Sequence, residues 1–313
     1  MRALVTGATG FVGRRLLEFL DDPIVLSRDA ERAKQLLGGK VRTMAWDPAK
    51  EPAPTAAFAG VDTVFHLAGD PVAEGRWNDA KRRRIRESRT IGTANLVRGI
   101  GACGVKPTTL VSASAIGYYG SRGDEILDES SSRGADFLAE VCIEWEREAA
   151  AAEALGLRTS MARIGIVLGR GGALQKMLLP FKLGLGGRLG AGRQWMSWVH
   201  VDDVVGMLLH AAGVAAVRGP FNAVGPEPVT NRDFTKALGR AVHRPTIFPV
   251  PPFMLKLAIG DFAEVLLASQ RCLPTRMHAA GYRFKYATVD DALAASVGGV
   301  RSATGASATK AAG

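Results

Sequence analysis

Short runs dense in Val, Ile, Leu and Thr recur along the first half of the chain, at residues 2–6, 24–27, 41–46, 63–67, 109–112 and 159–164. None alternates cleanly between apolar and polar positions. A strand with water on one face would alternate, so these runs read as strands covered on both faces. Between them, residues 10–20, 30–37, 78–101 and 136–154 carry apolar positions at helical spacing. Strand and helix in strict alternation predict an α/β fold, a doubly wound parallel sheet covered on both sides, with right-handed crossovers.

The second half is less regular. Residues 184–192 are rich in glycine and read as a loop near a ligand. Residues 199–217 suggest a short strand feeding a helix, 246–252 an extended stretch punctuated by proline, and 253–267 one helix. The expected organisation is a first, larger α/β domain over 1–170, with 195–224 returning to it. A smaller α/β substrate domain takes 171–194 and 225–299, and 300–313 forms a disordered tail without aromatics.

Composition narrows the class. With 47% hydrophobic and 22% charged residues in 313, the chain is of ordinary globular type. No apolar run reaches the roughly 18 residues of a membrane helix; the longest, 204–217, contains His210 and two glycines. A membrane partner is therefore not expected. Cys103, Cys142 and Cys272 are far apart and form no C-x-x-C pair. That argues against a disulfide framework or a metal site, and a cytoplasmic location is expected. The net charge of +10 suits anionic ligands. The basic run 81–84 lacks interleaved aromatics and any helix-turn-helix pattern, so nucleic acid is not expected either. Arg82, Arg86 and Arg89 share one helix face, expected to be solvated or to reach a phosphate rim, with Ile85 and Ser88 on another face.

The strongest chemical signal is TGATGFVG at residues 6–13, between the first strand and the first helix. Gly7 permits a tight turn, Gly10 lets backbone approach a pyrophosphate, and Gly13 lets helix pack on strand. Thr9, Phe11 and Val12 surround the turn, and the helix start offers free N–H groups to the phosphates. No Gly-Lys-Ser/Thr closes the loop, so it is not a P-loop. The second strand ends in Ser27-Arg28 rather than in the acidic residue that usually holds a free ribose 2′-hydroxyl. Arg28 suits a 2′-phosphate, which favours NADP; Asp29 beside it leaves NAD as the alternative. Asp47 is a candidate acceptor for the adenine amino group or a turn cap. Leu67, Ala68 and Gly69 would let backbone run beside the ribose and nicotinamide, and His66 before them reads as a buried strand histidine.

Further motifs join these: FHLAG at 65–69, SRTIGT at 88–93, VSASAIGYYG at 111–120, FLAEVCIEWE at 137–146, PFKLGLGG at 180–187, GRQWMSW at 192–198, WVHVDD at 198–203 and QRCLP at 270–274. Together, over roughly residues 1–298, the chain resembles the extended short-chain dehydrogenase/reductases. More narrowly, it resembles their atypical "epimerase family" branch, which is NAD-dependent epimerase/dehydratase-like and carries a small C-terminal domain. The resemblance implies a Rossmann fold with a sheet order of 3-2-1-4-5-6 type and a substrate cleft between the Rossmann domain and the C-terminal part. It also implies a tyrosine acid/base, lowered in pKa by a lysine, and a serine that orients the substrate oxygen.

This sequence departs from that pattern. The Tyr-x-x-x-Lys stretch falls on Phe137–Val141 or, one step on, Leu138–Cys142, and neither register supplies the pair. The helical asparagine position carries Ser88. Ser114 matches the serine, with Ser112 its neighbour, and Tyr118 and Tyr119 are the candidate replacement donors. Arg193 and Trp198 lie on the segment that in the family follows the substrate cleft, while Met196 stands where nucleotide-sugar enzymes often carry arginine. Asp202 and Asp203 read as a helix cap, not a metal site. No G-x-S-x-G elbow points to a serine hydrolase. The expected function is that of an NADP-dependent oxidoreductase, or an epimerase/dehydratase-like enzyme, acting on a small-molecule carbonyl or hydroxyl compound. The competing class is a non-catalytic NADPH-binding regulator acting through a protein partner, in keeping with cell-division names carried by some members.

Overall fold

The computed structural model describes residues 1–39 and 41–298; the expected tail at 300–313 lies outside them. Seven parallel strands form the central sheet: β1 (Ala3–Thr6), β2 (Ile24–Ser27), β3 (Arg42–Ala45), β4 (Thr63–His66), β5 (Thr109–Ala115), β6 (Arg158–Ile164) and β7 (Gly219–Ala223). Their spatial order is 3-2-1-4-5-6-7, as expected for the first six, with β7 added at the edge.

Consecutive strand residues point to opposite faces, and here both faces are covered. Val5, Phe65 and Val111 pack with Leu16, Val204 and Leu208 on one side. Their neighbours Leu4, Val64 and Leu110 pack with Leu96, Ile100 and Ala149 on the other. This double burial is why the strands showed no polar alternation. The covering helices are α1 (Phe11–Leu17), α2 (Ala30–Leu37), α3 (Asp79–Gly101), α4 (Phe137–Ala150) and α6 (Val201–Gly213). A short 3-10 turn continues α4 to Leu155.

Helices α5 (Gly172–Lys182), α7 (Asn231–Ala241) and α11 (Val289–Val297) gather around a third cluster that includes Leu174, Trp198, Phe234, Leu238 and Leu293, while α10 (Thr275–Ala279) sends Met277 into the first. The single helix expected over 253–267 is instead two, α8 (Pro252–Ile259) and α9 (Phe262–Leu267). Gly260 between them has φ +64°, a left-handed conformation that ends the first helix. Strand β5 runs three residues past its expected end. It carries Ser114 to the C-terminal edge of the sheet, where ligands bind in this architecture.

Candidate nucleotide site and its buried polar network

The turn between β1 and α1 has the shape a dinucleotide needs. Gly7 has φ +71°, and a Cβ there would stand 2.6 Å from the carbonyl carbon and oxygen of Leu67. Gly13 is pressed against the backbone of Gly7 and Ala8. A Cβ on Gly10 would meet only the Gly7 carbonyl oxygen, at 3.2 Å, so this residue faces open space. Side chains cap the starts of α2, α3 and α4: Asp29, Asn78 and Asp136. At α1 the cap is Gly10, which brings none, so the first amides of the helix lack a side-chain acceptor. Thr9 accepts Arg14 Nε at its carbonyl oxygen at 2.9 Å. The Phe11 ring is walled in by Gly169, Gly171 and Gly172, and Val12 is half-buried beside it.

At the end of β2, Ser27 Oγ bonds the backbone of Asp29. The Asp29 carboxylate is committed to capping α2, accepting Arg32 N at 2.9 Å. Arg28 is exposed and makes no ion pair among the described residues. The arrangement therefore offers a guanidinium outside any ion pair, though within electrostatic reach of Asp47, and a carboxylate turned to another task. Asp47 does not present its carboxylate freely for adenine. It holds its own turn, accepting Ala49 N at 3.1 Å and pairing with Lys50, and the Lys50 contact pulls its pKa down.

The loop after β4 is clamped from α3. Ser88 Oγ accepts Asp70 N at 2.9 Å, and the buried Lys81 ammonium binds the Asp70 carboxylate and the Pro71 carbonyl. Arg89 Nη1 donates to the Asp70 carbonyl at 3.0 Å, and a Cβ on Gly69 would lie 3.1 Å from its guanidinium carbon. The guanidinium stacks over Trp145 at 5.0 Å, and burial lowers its pKa; it has no carboxylate partner among the described residues. The sequence suggested that the arginine face of α3 would be solvated or reach a phosphate rim; it turns toward α4, with the Arg82 and Arg86 side chains 35% and 38% exposed. Arg82 and Arg86 flank the Phe137 ring at 5.3 and 5.6 Å and pair with Asp261 and Glu140. His66 is buried, bridging Thr6 Oγ1 at 2.7 Å and Thr93 Oγ1 at 2.9 Å; burial lowers its pKa to about 4.

Five more residues meet at the end of β5. Ser114 Oγ donates to Glu146 Oε1 at 2.7 Å, and Arg163 grips both Glu146 oxygens at 2.8 Å. Arg163 Nη1 also donates to Tyr119 Oη at 3.0 Å, and Tyr119 donates to Asn222 Oδ1 at 2.7 Å. Tyr119 is fully buried, and desolvation drives its pKa upward despite Arg163. That places Tyr119 in the scaffold rather than in the role of proton donor expected for it. Tyr118 differs. It is half-buried, its ring lies 3.4 Å from the Arg163 guanidinium carbon, and its hydroxyl has no hydrogen-bond partner among the described residues. Ser112 is buried and bonds the Ala113 carbonyl.

The two possible registers on α4 separate clearly. Leu138 and Cys142 both face Gly117, within 3.4–3.7 Å of a Cβ built there, whereas Phe137 sits between Trp77 and the arginines. The positions facing the Ser114 loop thus hold an alkyl chain and a thiol. Burial raises the Cys142 pKa to about 12, so the thiol is inert as an acid/base group near neutrality.

Of the substrate candidates, Arg193 is exposed and lines a cleft of about 310 Å³ with Asp124, Trp195 and Arg232. Trp198 does not face a cleft. It is buried in the third cluster, with Nε1 donating to the Glu227 carbonyl at 2.8 Å. The cap of α6 is the imidazole of His200, which accepts Asp202 N at 3.1 Å, not an aspartate. Asp202 pairs with Arg15 and Lys285, and Asp203 accepts the backbone of Lys285 and Tyr286. No group of three or more metal-ligating side chains occurs among the described residues. Glu146, Arg163, Asn222 and the clamp at Arg89 were not singled out as site residues from sequence. The available signal was Arg163, a charge inside an apolar strand run.

A β-α-β cradle of this kind, with a hydroxyl and an ion pair at the end of β5, defines a nucleotide-binding protein of the reductase/epimerase class. Residues 3–240 match the family model described as NAD dependent epimerase/dehydratase family, and 250–296 match a domain of unknown function, DUF1731. The chain belongs to the NAD dependent epimerase/dehydratase family. It is 39% identical to an epimerase family protein of Mycobacterium bovis, over 92% of this chain and 95% of the relative. It is 40% identical to the chloroplastic SDR39U1 homolog of Arabidopsis thaliana, over 94% and 86%. The crystal structure of human epimerase family protein SDR39U1 with NADPH superposes with a TM-score of 0.84 at 32% identity, covering 95% of this chain and 99% of that one.

Proposed function

We propose that the chain binds NADPH in the β1–α1 cradle and works as an oxidoreductase or epimerase-type enzyme on a small carbonyl or hydroxyl compound. The observation that carries the reading is the pairing of an uncapped helix start at Gly10 with an Arg28 outside any ion pair among the described residues, whose neighbour Asp29 is already engaged. The first feature suits a pyrophosphate, and the second prefers a 2′-phosphate to a bare ribose. The human relative, solved with NADPH, supports the same choice. Arg89, beneath Gly69, adds a partly buried cation without a carboxylate to the same groove.

When bound, the nicotinamide supplies or accepts the hydride. The remaining work falls to this chain's side chains. Ser114 uses its one hydroxyl proton in the hydrogen bond to Glu146, so it meets a substrate as an acceptor and orients a hydroxyl. Tyr118, stacked on Arg163 with its own hydroxyl uncommitted, is the proton donor of the reaction. The regulator remains the second reading, favoured by one observation: Leu138 and Cys142 occupy the face where the family's acid/base pair would stand.

The test is turnover of NADPH with a panel of aldehydes and ketones. Wild-type turnover that is lost in Tyr118→Phe, with NADPH binding retained, supports the enzyme. Tight binding with no turnover across the panel supports the regulator.

A further inference from the structure

The exposed large apolar side chains are not scattered evenly. Eight lie on three neighbouring segments of the C-terminal part: Leu179, Leu183 and Leu185; Ile247 and Phe248; and Phe253, Met254 and Leu257. The segments are joined by backbone contacts. Val250 N donates to the Arg188 carbonyl at 2.8 Å, Gly190 N donates to the Val250 carbonyl at 2.9 Å, and Arg244 Nε donates to the Lys182 carbonyl at 3.0 Å. Helix α8 follows directly, and none of its eight residues is buried. Phe253 is 71% exposed and Leu257 77%. A contiguous apolar surface of this kind marks an interaction site.

Its charge is as uneven as its hydrophobicity. Residues 171–194 and 234–260 contain no aspartate or glutamate. Lys182, Arg188, Arg244 and Lys256 are exposed around the apolar residues. A basic cleft of about 620 Å³, lined by Lys236, Arg240, His243 and Arg244, adjoins Ile247. The nearest carboxylates lie at the margin: Glu264 stands 3.6 Å from Lys256, and Asp290 pairs with Arg240.

We propose that α8 and the two segments beside it form a docking surface for an anionic lipid surface. The apolar side chains would lie at the headgroup boundary and the flanking lysines and arginines among the phosphates. A short apolar helix with cations on long flexible stems suits lipid headgroups, which demand charge but no fixed geometry. An acidic protein would instead require its carboxylates to match fixed positions. No spanning segment is involved, so the surface is compatible with the absence, among the described residues, of a helix able to cross a membrane. The proposal departs from the sequence-based expectation of no membrane partner. The proposal is independent of the nucleotide site.

Co-sedimentation with vesicles tests it, comparing pure phosphatidylcholine with an equal mixture of phosphatidylcholine and phosphatidylglycerol. The full chain is expected to pellet with the anionic vesicles at low salt and to be released as salt screens the headgroups. Phe253→Glu and Leu257→Glu should each weaken this binding about tenfold, with NADPH affinity and thermal midpoint unchanged because both side chains are exposed. Lys182→Gln with Lys256→Gln should weaken it and flatten the salt dependence. Absence of binding to the anionic vesicles overturns the proposal. So does a chain that sediments as a dimer, is made monomeric by Leu257→Glu and ignores vesicles: the surface would then be covered by a second copy.

Discussion

Ser114 Oγ donates a hydrogen bond to Glu146, whose carboxylate is in turn held by Nε and Nη2 of the Arg163 guanidinium. Glu146 and Arg163 are both buried, and each side-chain nitrogen of Arg163 and each carboxylate oxygen of Glu146 has a partner within the network, as a buried ion pair requires. Removing one partner leaves the other charge stranded. Glu146→Ala should therefore destabilise the fold by about 3–5 kcal/mol. Urea unfolding measures this; a loss under about 1 kcal/mol would mean that water enters and screens Arg163.

The two adjacent tyrosines should behave oppositely. Tyr119→Phe removes the hydroxyl that links Arg163 to Asn222 and should cost about 1–2 kcal/mol of stability. Tyr118→Phe removes an unpartnered hydroxyl and should leave the thermal midpoint unchanged while abolishing turnover. Parallel melts and steady-state assays check both. Equal stability losses for the two would contradict the division of roles.

Stability should fall on mild acidification, with a definable sign. Burial holds the His66 pKa at about 4 against its usual 6.5, so the folded chain keeps this imidazole neutral. Between those values the unfolded chain binds more protons than the folded one, so stability rises with pH across the window. His66 adds no pH dependence above about pH 6.5. On acidification through the window its linkage removes about 3 kcal/mol by pH 4. Urea midpoints from pH 7 to pH 4.5 check this, and His66→Gln should show a shallower decline. An identical slope in that variant would contradict the assignment.

Much of this could be read in advance. The six first strands and the glycine turn were legible because both depend on local residue type: runs covered on two faces, and small residues where backbone must approach backbone. What stayed hidden depends on distant partners. Asp29 and Asp47 looked equally able to meet a nucleotide until the helix and turn they cap were visible. Trp198 looked like a cleft residue because its segment follows the substrate cleft in the resembled family, yet the strand turns it inward to Phe234 and Leu238. Tyr118 and Tyr119 are neighbours in the chain, and only the tertiary position of Arg163 and Asn222 distinguishes them. The break at Gly260 was missed because the apolar spacing continues across it.

Choice of cofactor should depend on a single side chain. Arg28→Ala should weaken NADPH by about 10–100-fold, the worth of one charge-assisted contact, and leave NADH nearly unchanged. Competition between the two nucleotides, measured by fluorescence, gives the ratio directly. Equal weakening of both would place the 2′-phosphate elsewhere.

Calorimetric titration of the purified chain with NADPH tests the central claim most directly, run beside Gly7→Ala, whose added methyl would collide with the Leu67 backbone. Saturable heat with one nucleotide per chain, abolished in a Gly7→Ala protein that still folds, is the expected result. No uptake of NADPH or NADH at millimolar concentration would contradict the account.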